Sequence, residues 1–254
     1  MSVRRLLAAT LLLCCISIVP AAAAQTATAV SAARPTTYKT VAVNGLNIFY
    51  REAGPDNAPV ILLLHGFPSS SRMFDRLMPL LADRYHLIAP DYPGFGNSEA
   101  PPPDKFTYSF AAVSDIVDSF TQSLHLDRYA LYVQDYGGPV GYRLAVAHPE
   151  RVTALIVQNA VAHEEGLGPA WDIRKAFWKD RAVYEDKVIP GFTSLEGAKG
   201  RHLGSSPHPE RYDPEAWNGK EHIWRSLDSA RFNPTCSLTV IRRGVRTPIG
   251  VQSD

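Results

Sequence analysis

The sequence predicts an α/β fold with a mostly parallel sheet, flanking helices and a helical insertion. Three features support this fold class: apolar runs that end in turn residues, amphipathic stretches between these runs, and short connections rich in glycine and proline. Strands that alternate with helices at this spacing form right-handed β-α-β units, which build a parallel sheet. With 254 residues, 45% of them apolar, the chain is long enough for one large core.

The N-terminal residues have the pattern of a secretory signal peptide. Arg4 and Arg5 precede the apolar run LLAATLLLCCISIV, which is short for a membrane span, and small residues follow it. We expect residues 1–24 to be a signal peptide cleaved near Ala24, which makes the chain secreted or periplasmic. An uncleaved membrane anchor is the alternative. Residues 25–36, rich in Ala and Thr, then form a flexible tail.

The net charge and the cysteine content argue against nucleic-acid or membrane partners and against an internal disulfide. The net charge of +1 creates no field that attracts nucleic acid or an anionic membrane surface. We therefore expect no nucleic-acid partner and no stable membrane association after signal cleavage. Only Cys236 lies beyond the signal peptide, so we expect no internal disulfide.

The first half of the core is predicted from four segments. KTVAVNGLNIFYREAG alternates apolar and polar residues around Asn44 and Gly45, which indicates a hairpin. APVILLLHG is a continuous apolar run, typical of a strand that is buried on both faces. SRMFDRLMPLLAD has the apolar spacing of a helix, and YHLIAPDYPGFG predicts a further strand followed by a turn.

The second half continues the alternation. SFAAVSDIVDSFTQSLHL places six apolar residues on one helical face. RYALYVQD is a predicted strand, GGPVGYRLAVAHPER a helix, and VTALIVQNA a strand again. Together these segments define a core over residues 37–162. After it, residues 163–217 are aromatic, charged and helical and then rich in proline, which predicts a cap inserted over one edge of the sheet. Residues 218–254 are atypical, and only SLTVI resembles a strand there.

Asp135 lies at the end of a predicted strand, directly before a helix. Ligands of open α/β sheets collect beyond the carboxyl ends of the strands. Gly137 and Gly138 allow a sharp turn that would hold the side chain above the sheet, as in a nucleophile elbow. An ionised carboxylate held there can attack an electrophilic carbon and form an ester. The alternative is an aspartate that only caps the helix.

The segment LLLHGFP favours the catalytic interpretation. His65 and Gly66 end the preceding core strand, so the loop crosses beside the elbow. The N–H groups of Phe67 and Tyr136 can then converge on one point and form an oxyanion hole. We expect His65 to have a structural role. The segment DYPGFGNS lacks the third glycine of a phosphate loop, and we interpret it as a turn held by Asp91 and Ser98.

These segments together resemble the α/β-hydrolase superfamily, specifically its epoxide hydrolase and haloalkane dehalogenase group. HGFPSSSRMF, APDYPGFGNSEAP, VQDYGGPVGYRLAVAHPERV and the insertion after Ala162 carry the resemblance. It implies an α/β-hydrolase fold, no cofactor and no metal, and a helical cap over an apolar pocket. It also implies that Asp135 opens an epoxide or displaces a halide to form an alkyl ester, which a histidine-activated water then hydrolyses.

Two departures from the group affect the expected substrate. Tyr136 stands where many dehalogenases hold the halide with tryptophan, and Phe67 stands where many have asparagine. Both argue against the typical dehalogenase, whereas HGFP is common in the epoxide hydrolases, and the choice between epoxide and halide stays open. In the cap, Tyr184 and Tyr212 either donate a hydrogen bond to the opening oxygen or pack. Trp171 and Trp178 have two possible roles. They contribute to the substrate site, by lining the pocket or binding halide, or they only pack the cap against the core.

The histidine and second acid of the family are not identifiable in this sequence. The position of an alternative acid matches Asn159, which has no charge, and the histidines at 163, 202, 208 and 222 lie in or beside the cap. We expect that the chain is truncated or out of frame near its C-terminus. Three hypotheses stay open: a small-molecule hydrolase, an inactive remnant, and a non-catalytic ligand-binding protein of the same fold. The oligomeric state is not predicted.

Overall fold

A six-stranded mixed sheet forms the centre of the computed structural model, which describes residues 35–214 and residue 217. Its strand order is β1-β2-β4-β3-β5-β6. β1 and β2 pair with each other, and β2 pairs with β4, in antiparallel register, whereas β3, β4, β5 and β6 run parallel. The strands are β1 Thr37–Val43, β2 Leu46–Ala53, β3 Val60–Leu64, β4 His86–Pro90, β5 Tyr129–Gln134 and β6 Val152–Gln158.

The hairpin between β1 and β2 is confirmed. Val43 pairs with Leu46, and the two residues between them have positive φ: 49° at Asn44 and 83° at Gly45. A two-residue loop with both φ values positive matches the right-handed twist of the strands. Asn and Gly tolerate this conformation better than other residues, so the turn follows from local chemistry.

The predicted helix over SRMFDRLMPLLAD is wrong in its continuity. The structure has a 3₁₀ turn at Ser71–Phe74 and then the short helix α1 at Met78–Leu81. Pro79 explains the break, because proline has no N–H and its ring collides with the carbonyl four residues earlier. Apolar spacing alone therefore overestimates the length of this helix.

Two helices of the core cover one face of the sheet. α2 spans Phe110–Ser123, begins with Ser109 as N-cap, and buries the apolar face that the sequence predicts. α3 spans Gly137–Ala147 and packs against α2 and β5. Arg151 joins these elements, since it donates to Oδ1 of Asp118 (2.9 Å), to Oγ1 of Thr121 (2.9 Å) and to the carbonyl of Leu126 (2.8 Å).

Beyond the sheet, the chain continues into a group of helices. These are α4 Asp172–Lys179, α5 Arg181–Thr193 and α6 Leu195–Leu203, with a 3₁₀ turn at Pro169–Trp171 before them and another at Pro209–Arg211 after them. Asp180 caps α5 and Ser194 caps α6 through hydrogen bonds to backbone N–H groups. Within the described part of the chain, no helix is both long and apolar enough to cross a membrane.

Several sequence predictions fall outside the described residues. They are the signal peptide over 1–24, most of the tail over 25–36, the histidine at 222, the lone cysteine at 236, and the C-terminal segment 218–254. Among the residues that are described, β6 pairs only with β5, and Ile156 and Val157 on it are 41% and 49% exposed.

Candidate active site

Asp135 lies in a sharp turn between β5 and α3. Its φ is +49°, a left-handed conformation that is uncommon for a residue with a side chain. The Gly138 N–H donates to the carbonyl of Asp135 (3.0 Å), which closes the turn. A Cβ at Gly137 would lie 2.2 Å from the carbonyl oxygen of Leu64. Glycine is thus required there, because α3 begins in direct contact with the backbone of β3.

One oxygen of the Asp135 carboxylate accepts two backbone hydrogen bonds. The N–H groups of Phe67 and Tyr136 both donate to Oδ1, at 2.8 and 2.7 Å. Asp135 forms no side-chain hydrogen bond through Oδ2 with residues 35–214. The loop after β3 comes this close because position 66 is glycine, where a Cβ would lie 2.4 Å from Cβ of Asp135. The structure thus brings together the three residues that the sequence predicts for the nucleophile and the oxyanion hole.

The surroundings of Asp135 have opposing effects on the pKa of its carboxyl group. Burial raises the pKa of the carboxyl, while the two backbone N–H groups oppose that shift. Arg174 and Arg201 also lower it through space. Burial likewise raises the pKa of the Tyr136 hydroxyl, and the negative charge of Asp135 raises it further. The site therefore holds a carboxylate in a poorly hydrated environment without a direct salt bridge among the described residues.

His65 is buried beside the site and has a structural role. Its Nε2 accepts from the Tyr92 N–H (3.2 Å), and its Nδ1 lies 3.1 Å from the carbonyl of Gly66. The ring also stacks on Tyr92, with 4.0 Å between centroids. Burial lowers the pKa of His65 to about 4, so the ring is neutral at pH 7. It fixes the loop that carries the Phe67 amide and leaves no ring nitrogen for a substrate.

The turn after β4 is held as the sequence predicts. Asp91 is buried, and its two carboxylate oxygens accept from the N–H groups of Ser71 (2.6 Å) and Asn97 (2.8 Å). The Ser98 hydroxyl donates to the carbonyl of Asp91 (2.7 Å) and accepts from the Phe49 N–H. These bonds hold the segment DYPGFGNS as a structural turn and give it no phosphate-binding geometry.

Four aromatic residues of the predicted cap differ in their placement. Trp171 is half-buried, with the Arg174 guanidinium 4.6 Å from its ring centre. The ring of Tyr184 is approached by the Lys187 ammonium, and Tyr212 is 40% exposed. Trp178 lies in α4, and its side chain falls outside what the structure describes. The Asp135 carboxylate has hydrogen bonds to the amides of Phe67 and Tyr136 and none to either tyrosine among the described residues, so their role as proton donors stays a prediction.

Asn159, at the position of the alternative acid, is part of the elbow. It follows β6 with a φ of +46°, and its carbonyl accepts from the Asp135 N–H at 3.3 Å. Asparagine tolerates this left-handed conformation well. Asn159 therefore supports the backbone of Asp135 and contributes no charge.

Two arginines near the site were missed by the sequence reasoning. Arg174 on α4 and Arg201 on α6 both act electrostatically on Asp135. The Arg201 guanidinium lies 5.6 Å from the centre of the Phe67 ring. Phe67 is also the residue whose N–H donates to the Asp135 carboxylate. In a sequence, charged residues on a helix usually indicate a solvated face, so no local pattern distinguishes these two.

A second group of ionisable residues lies at the opposite end of the parallel strands from Asp135. Glu52, Asp56 and His86 bring potential metal-ligand atoms within 4.8 Å of one another. His86 begins β4, whereas Asp135 follows the end of β5, so the group is remote from the elbow. The carboxylate of Glu52 already contacts the ammonium of Lys39 and Nε2 of His86 (2.7 Å). We interpret this group as an ion-pair network.

The elbow, the converging amides and the sheet order define an α/β hydrolase. Residues 59–226 match the family model described as the alpha/beta hydrolase fold. This chain therefore belongs to that family, as its sequence motifs predict. Its sheet and helices agree with the fold class expected from the sequence.

The chain is similar to proteins that are named hydrolases and dehalogenases. An uncharacterized hydrolase of Saccharomyces cerevisiae is 40% identical over 178 residues, which are 68% of this chain and 61% of the relative. The fluoroacetate dehalogenase of a Burkholderia species is 32% identical over 192 residues, 71% of this chain and 61% of that enzyme. The chain thus spans about three fifths of the length of these two relatives. Further relatives are named haloalkane dehalogenases.

Solved structures show the same fold. The wild-type protein Cfl2 of Burkholderia cenocepacia matches with a TM-score of 0.65 at 24% identity, over 80% of this chain and 71% of that one. Haloalkane dehalogenases and a putative epoxide hydrolase are also among the matching structures. The names of these relatives and structures are consistent with the epoxide hydrolase and haloalkane dehalogenase group that the sequence resembles.

Proposed function

We propose that this chain is a hydrolase that attacks small epoxides or haloalkanes with Asp135 and forms an aspartyl ester. The hydrogen bonding of the carboxylate supports this proposal most directly. Oδ1 is held by the amides of Phe67 and Tyr136, so the carboxylate has one fixed oxygen and one oxygen, Oδ2, available for attack. A side chain that served only as a helix cap would instead accept from the first turn of α3.

The first half-reaction follows from this geometry. Oδ2 donates an electron pair to an sp³ carbon, and the bond from that carbon to the leaving atom breaks. A halide departs with the bonding electrons, or the epoxide oxygen becomes an alkoxide that takes up a proton. Because burial raises the pKa of Asp135, its ionised form is poorly solvated and a better nucleophile than a carboxylate in water.

The second half-reaction uses the same two amides. In the ester, Oδ2 bears the alkyl group and Oδ1 becomes the carbonyl oxygen. Water that attacks Cγ places negative charge on Oδ1, where the N–H groups of Phe67 and Tyr136 already point. Both amides therefore stabilise the charge that develops in the transition state. The water must lose a proton to a base, and His65 is excluded because its Nε2 accepts from the Tyr92 N–H.

The names of the relatives support this reaction class. The Burkholderia enzyme is named a fluoroacetate dehalogenase and further relatives are named haloalkane dehalogenases, which break a carbon–halogen bond. One matching structure is named a putative epoxide hydrolase. Tyr136 and Phe67, in place of the tryptophan and asparagine of many dehalogenases, favour the epoxide.

Intact-mass spectrometry of the full chain in ¹⁸O-labelled water tests the proposal. The chain is exposed to a panel of epoxides and bromoalkanes, and each product is mapped to its residue by peptide analysis. A stable adduct on Asp135 means that the first half-reaction works alone. Consumption of substrate with ¹⁸O in the Asp135 carboxyl means that both halves work.

Matched variants make the test specific. Asp135→Asn removes the nucleophile but retains an oxygen for the two amides, and it should lose the adduct and the label. Asp104→Asn, at an exposed acid, should behave like the unchanged chain. If neither adduct nor label forms at Asp135 with any reagent, the chain is an inactive remnant or a ligand-binding protein and the proposal fails.

We further propose that the chain is exported, on the basis of its signal-like N-terminus. The mass of the chain recovered from an expressing cell tests this directly. Loss of residues 1–24 and recovery outside the cytoplasm are expected. Recovery of the intact N-terminus in the membrane fraction would favour the anchor instead.

A further inference from the structure

Tyr92 is a buried tyrosine whose hydroxyl has no hydrogen-bond partner in the part of the chain that the structure describes. The residue is 1% exposed, and its ring packs in the main core cluster. A buried polar group without a hydrogen bond lowers stability, so such groups usually bind a buried water or serve the chemistry of a site. The surroundings of the hydroxyl therefore indicate what it binds.

Tyr92 and Asp135 lie at the same end of the sheet, on the two sides of β3. Tyr92 is just beyond the end of β4, and Asp135 follows the end of β5. β3 lies between these strands and is parallel to both, and its register brings Gly66 level with both residues. Neighbouring strands are about 4.8 Å apart, so residues at this level of β4 and β5 are about 10 Å apart. A long side chain that crosses the end of β3 covers most of that distance.

Contacts at the end of β3 link Tyr92 to the loop that contacts the Asp135 carboxylate. The Tyr92 N–H donates to Nε2 of His65 (3.2 Å), and the two rings stack with 4.0 Å between their centroids. The next residue is Gly66, where a Cβ would lie 2.9 Å from Oδ1 of Asp135. On another side, the Tyr92 ring meets the ring of Phe95 edge-on at 6.0 Å. His65 and Phe95 thus fix the tyrosine ring beside this loop.

The negative charge of Asp135 acts on the Tyr92 hydroxyl. Burial raises the pKa of Tyr92 well above its ordinary value, and the charges of Asp135 and then of the adjacent Asp91 raise it further. The Asp91 carboxylate already accepts from the N–H groups of Ser71 and Asn97. The hydroxyl is therefore protonated at neutral pH and has a proton to donate.

The second oxygen of the Asp135 carboxylate has room for a further hydrogen bond. Oδ1 accepts from the amides of Phe67 and Tyr136, and Oδ2 accepts from no group within residues 35–214. A water that accepts from the tyrosine hydroxyl can donate to the carboxylate, and one such molecule satisfies both groups. Each carboxylate oxygen has two lone pairs, so Oδ2 can accept this bond and still attack a carbon.

We propose that Tyr92 is a positioning residue of the active site, whose hydroxyl holds a buried water that donates a hydrogen bond to the Asp135 carboxylate. The water stabilises the ionised carboxylate in its poorly hydrated environment and orients Oδ2. A phenylalanine at this position would pack equally well, so the hydroxyl is the part of Tyr92 that serves the site. This inference rests on the proposed function, because it adds a residue to the same site.

Tyr92→Phe in the full chain tests the proposal, since it removes the hydroxyl and retains the ring on His65. The chain is labelled with ¹³C-aspartate and titrated by NMR, and the Cγ signal of Asp135 is assigned from its loss in Asp135→Asn. Hydrogen bonds to an ionised carboxylate favour that form, so the titration midpoint of Asp135 should rise by about 0.5–1 pH unit in Tyr92→Phe. The pH dependence of Asp135 alkylation by an epoxide or bromoalkane should move in the same direction.

The other charged groups around the carboxylate are retained in this variant. Arg174 and Arg201 lower the pKa of Asp135 in both chains. Burial lowers the pKa of His65 to about 4, and its ring signals are followed in the same titration, so that a change at His65 is recognised.

Tyr129→Phe is the matched control. Tyr129 is fully buried at the start of β5, whereas Asp135 follows the end of that strand. The two positions are about 20 Å apart along an extended strand. Loss of the Tyr129 hydroxyl should therefore leave the titration of Asp135 unchanged.

Each result supports or refutes the proposal. A higher midpoint in Tyr92→Phe alone supports it, as does a crystal structure of the unchanged chain with an ordered water bonded to Tyr92 Oη and to Asp135. An unchanged midpoint refutes it, and a stability gain in the same variant would show that the hydroxyl is only an unsatisfied core group. An equal shift in Tyr129→Phe also refutes it, because the shift would then reflect a general change in the core. If the unchanged chain is never alkylated at Asp135, the proposed reaction fails, while the NMR titration still decides whether Tyr92 is coupled to Asp135.

Discussion

Replacing Gly66 by alanine tests the close approach between the loop after β3 and Asp135. The new Cβ would lie 2.4 Å from Cβ of Asp135 and 2.9 Å from its Oδ1. Carbon atoms in contact are about 3.5–4.0 Å apart, so the loop must retreat by about 1 Å. Overpacking of this kind costs about 1–3 kcal/mol of stability. A displacement of about 1 Å at a reacting group lowers the rate by about 10²-fold.

Two measurements on Gly66→Ala check these magnitudes. Urea unfolding gives the change in the free energy of unfolding, and the rate of ester formation on Asp135 gives the effect on the site. Gly200→Ala is the matched control, because a Cβ there meets nothing within 4 Å and alanine favours the helix by about 1 kcal/mol. If Gly66→Ala equals the unchanged chain in both stability and rate, the contact does not constrain the site and our reasoning is refuted.

Three further predictions concern charge and pH. Asp135→Asn should raise the free energy of unfolding at pH 7 by about 0.5–2 kcal/mol, because burial disfavours the ionised form. Because the pKa of Asp135 in the folded chain lies above its ordinary value, the stability gained by Asp135→Asn should decrease as the pH falls through that raised pKa. Urea unfolding at pH 7 that shows no gain for Asp135→Asn would contradict this reasoning. The pKa of His65 is about 4 in the folded chain and 6.5 for the ordinary imidazole. As the pH falls, the unfolded chain is therefore protonated at His65 before the folded chain is, so the free energy of unfolding should fall by about 2 kcal/mol from pH 7.5 to 5. His65→Gln should lack this part of the pH profile, and an unchanged profile would show that His65 is not its source. Arg151→Met should lose about 2–4 kcal/mol in thermal or urea unfolding, since three acceptors lose their donor. Arg84→Met, at a side chain 70% exposed, should change stability by less than about 0.5 kcal/mol. Equal effects of the two substitutions would argue against a stabilising role of the partly buried Arg151 network.

The core of the fold was predictable because its signals are local. The turn at Asn44 and Gly45 follows from the left-handed conformation that both residues tolerate, and continuous apolar runs predict β3 and β5. The segment that contains Pro79 shows the limit of this approach. Its apolar spacing indicates one helix, but the missing N–H and the ring of proline divide it.

The candidate site was predictable only as far as backbone geometry determines it. Asp135, Phe67 and Tyr136 meet because a strand, a glycine turn and a helix place two amides on one oxygen. Arg174 and Arg201 could not be found in this way. Their positions depend on how α4 and α6 lie over the core, and a charge on a helix surface carries no sign of that arrangement.

Phe67 contributes to the site through two chemically independent parts. Its N–H, which any residue except proline would supply, donates to Oδ1 of Asp135, while its ring supports the Arg201 guanidinium. Substitution at this position can thus change the ring and preserve the amide that donates to Asp135. Variation at residue 67 can therefore alter the support of Arg201 without removing the hydrogen bond to Asp135.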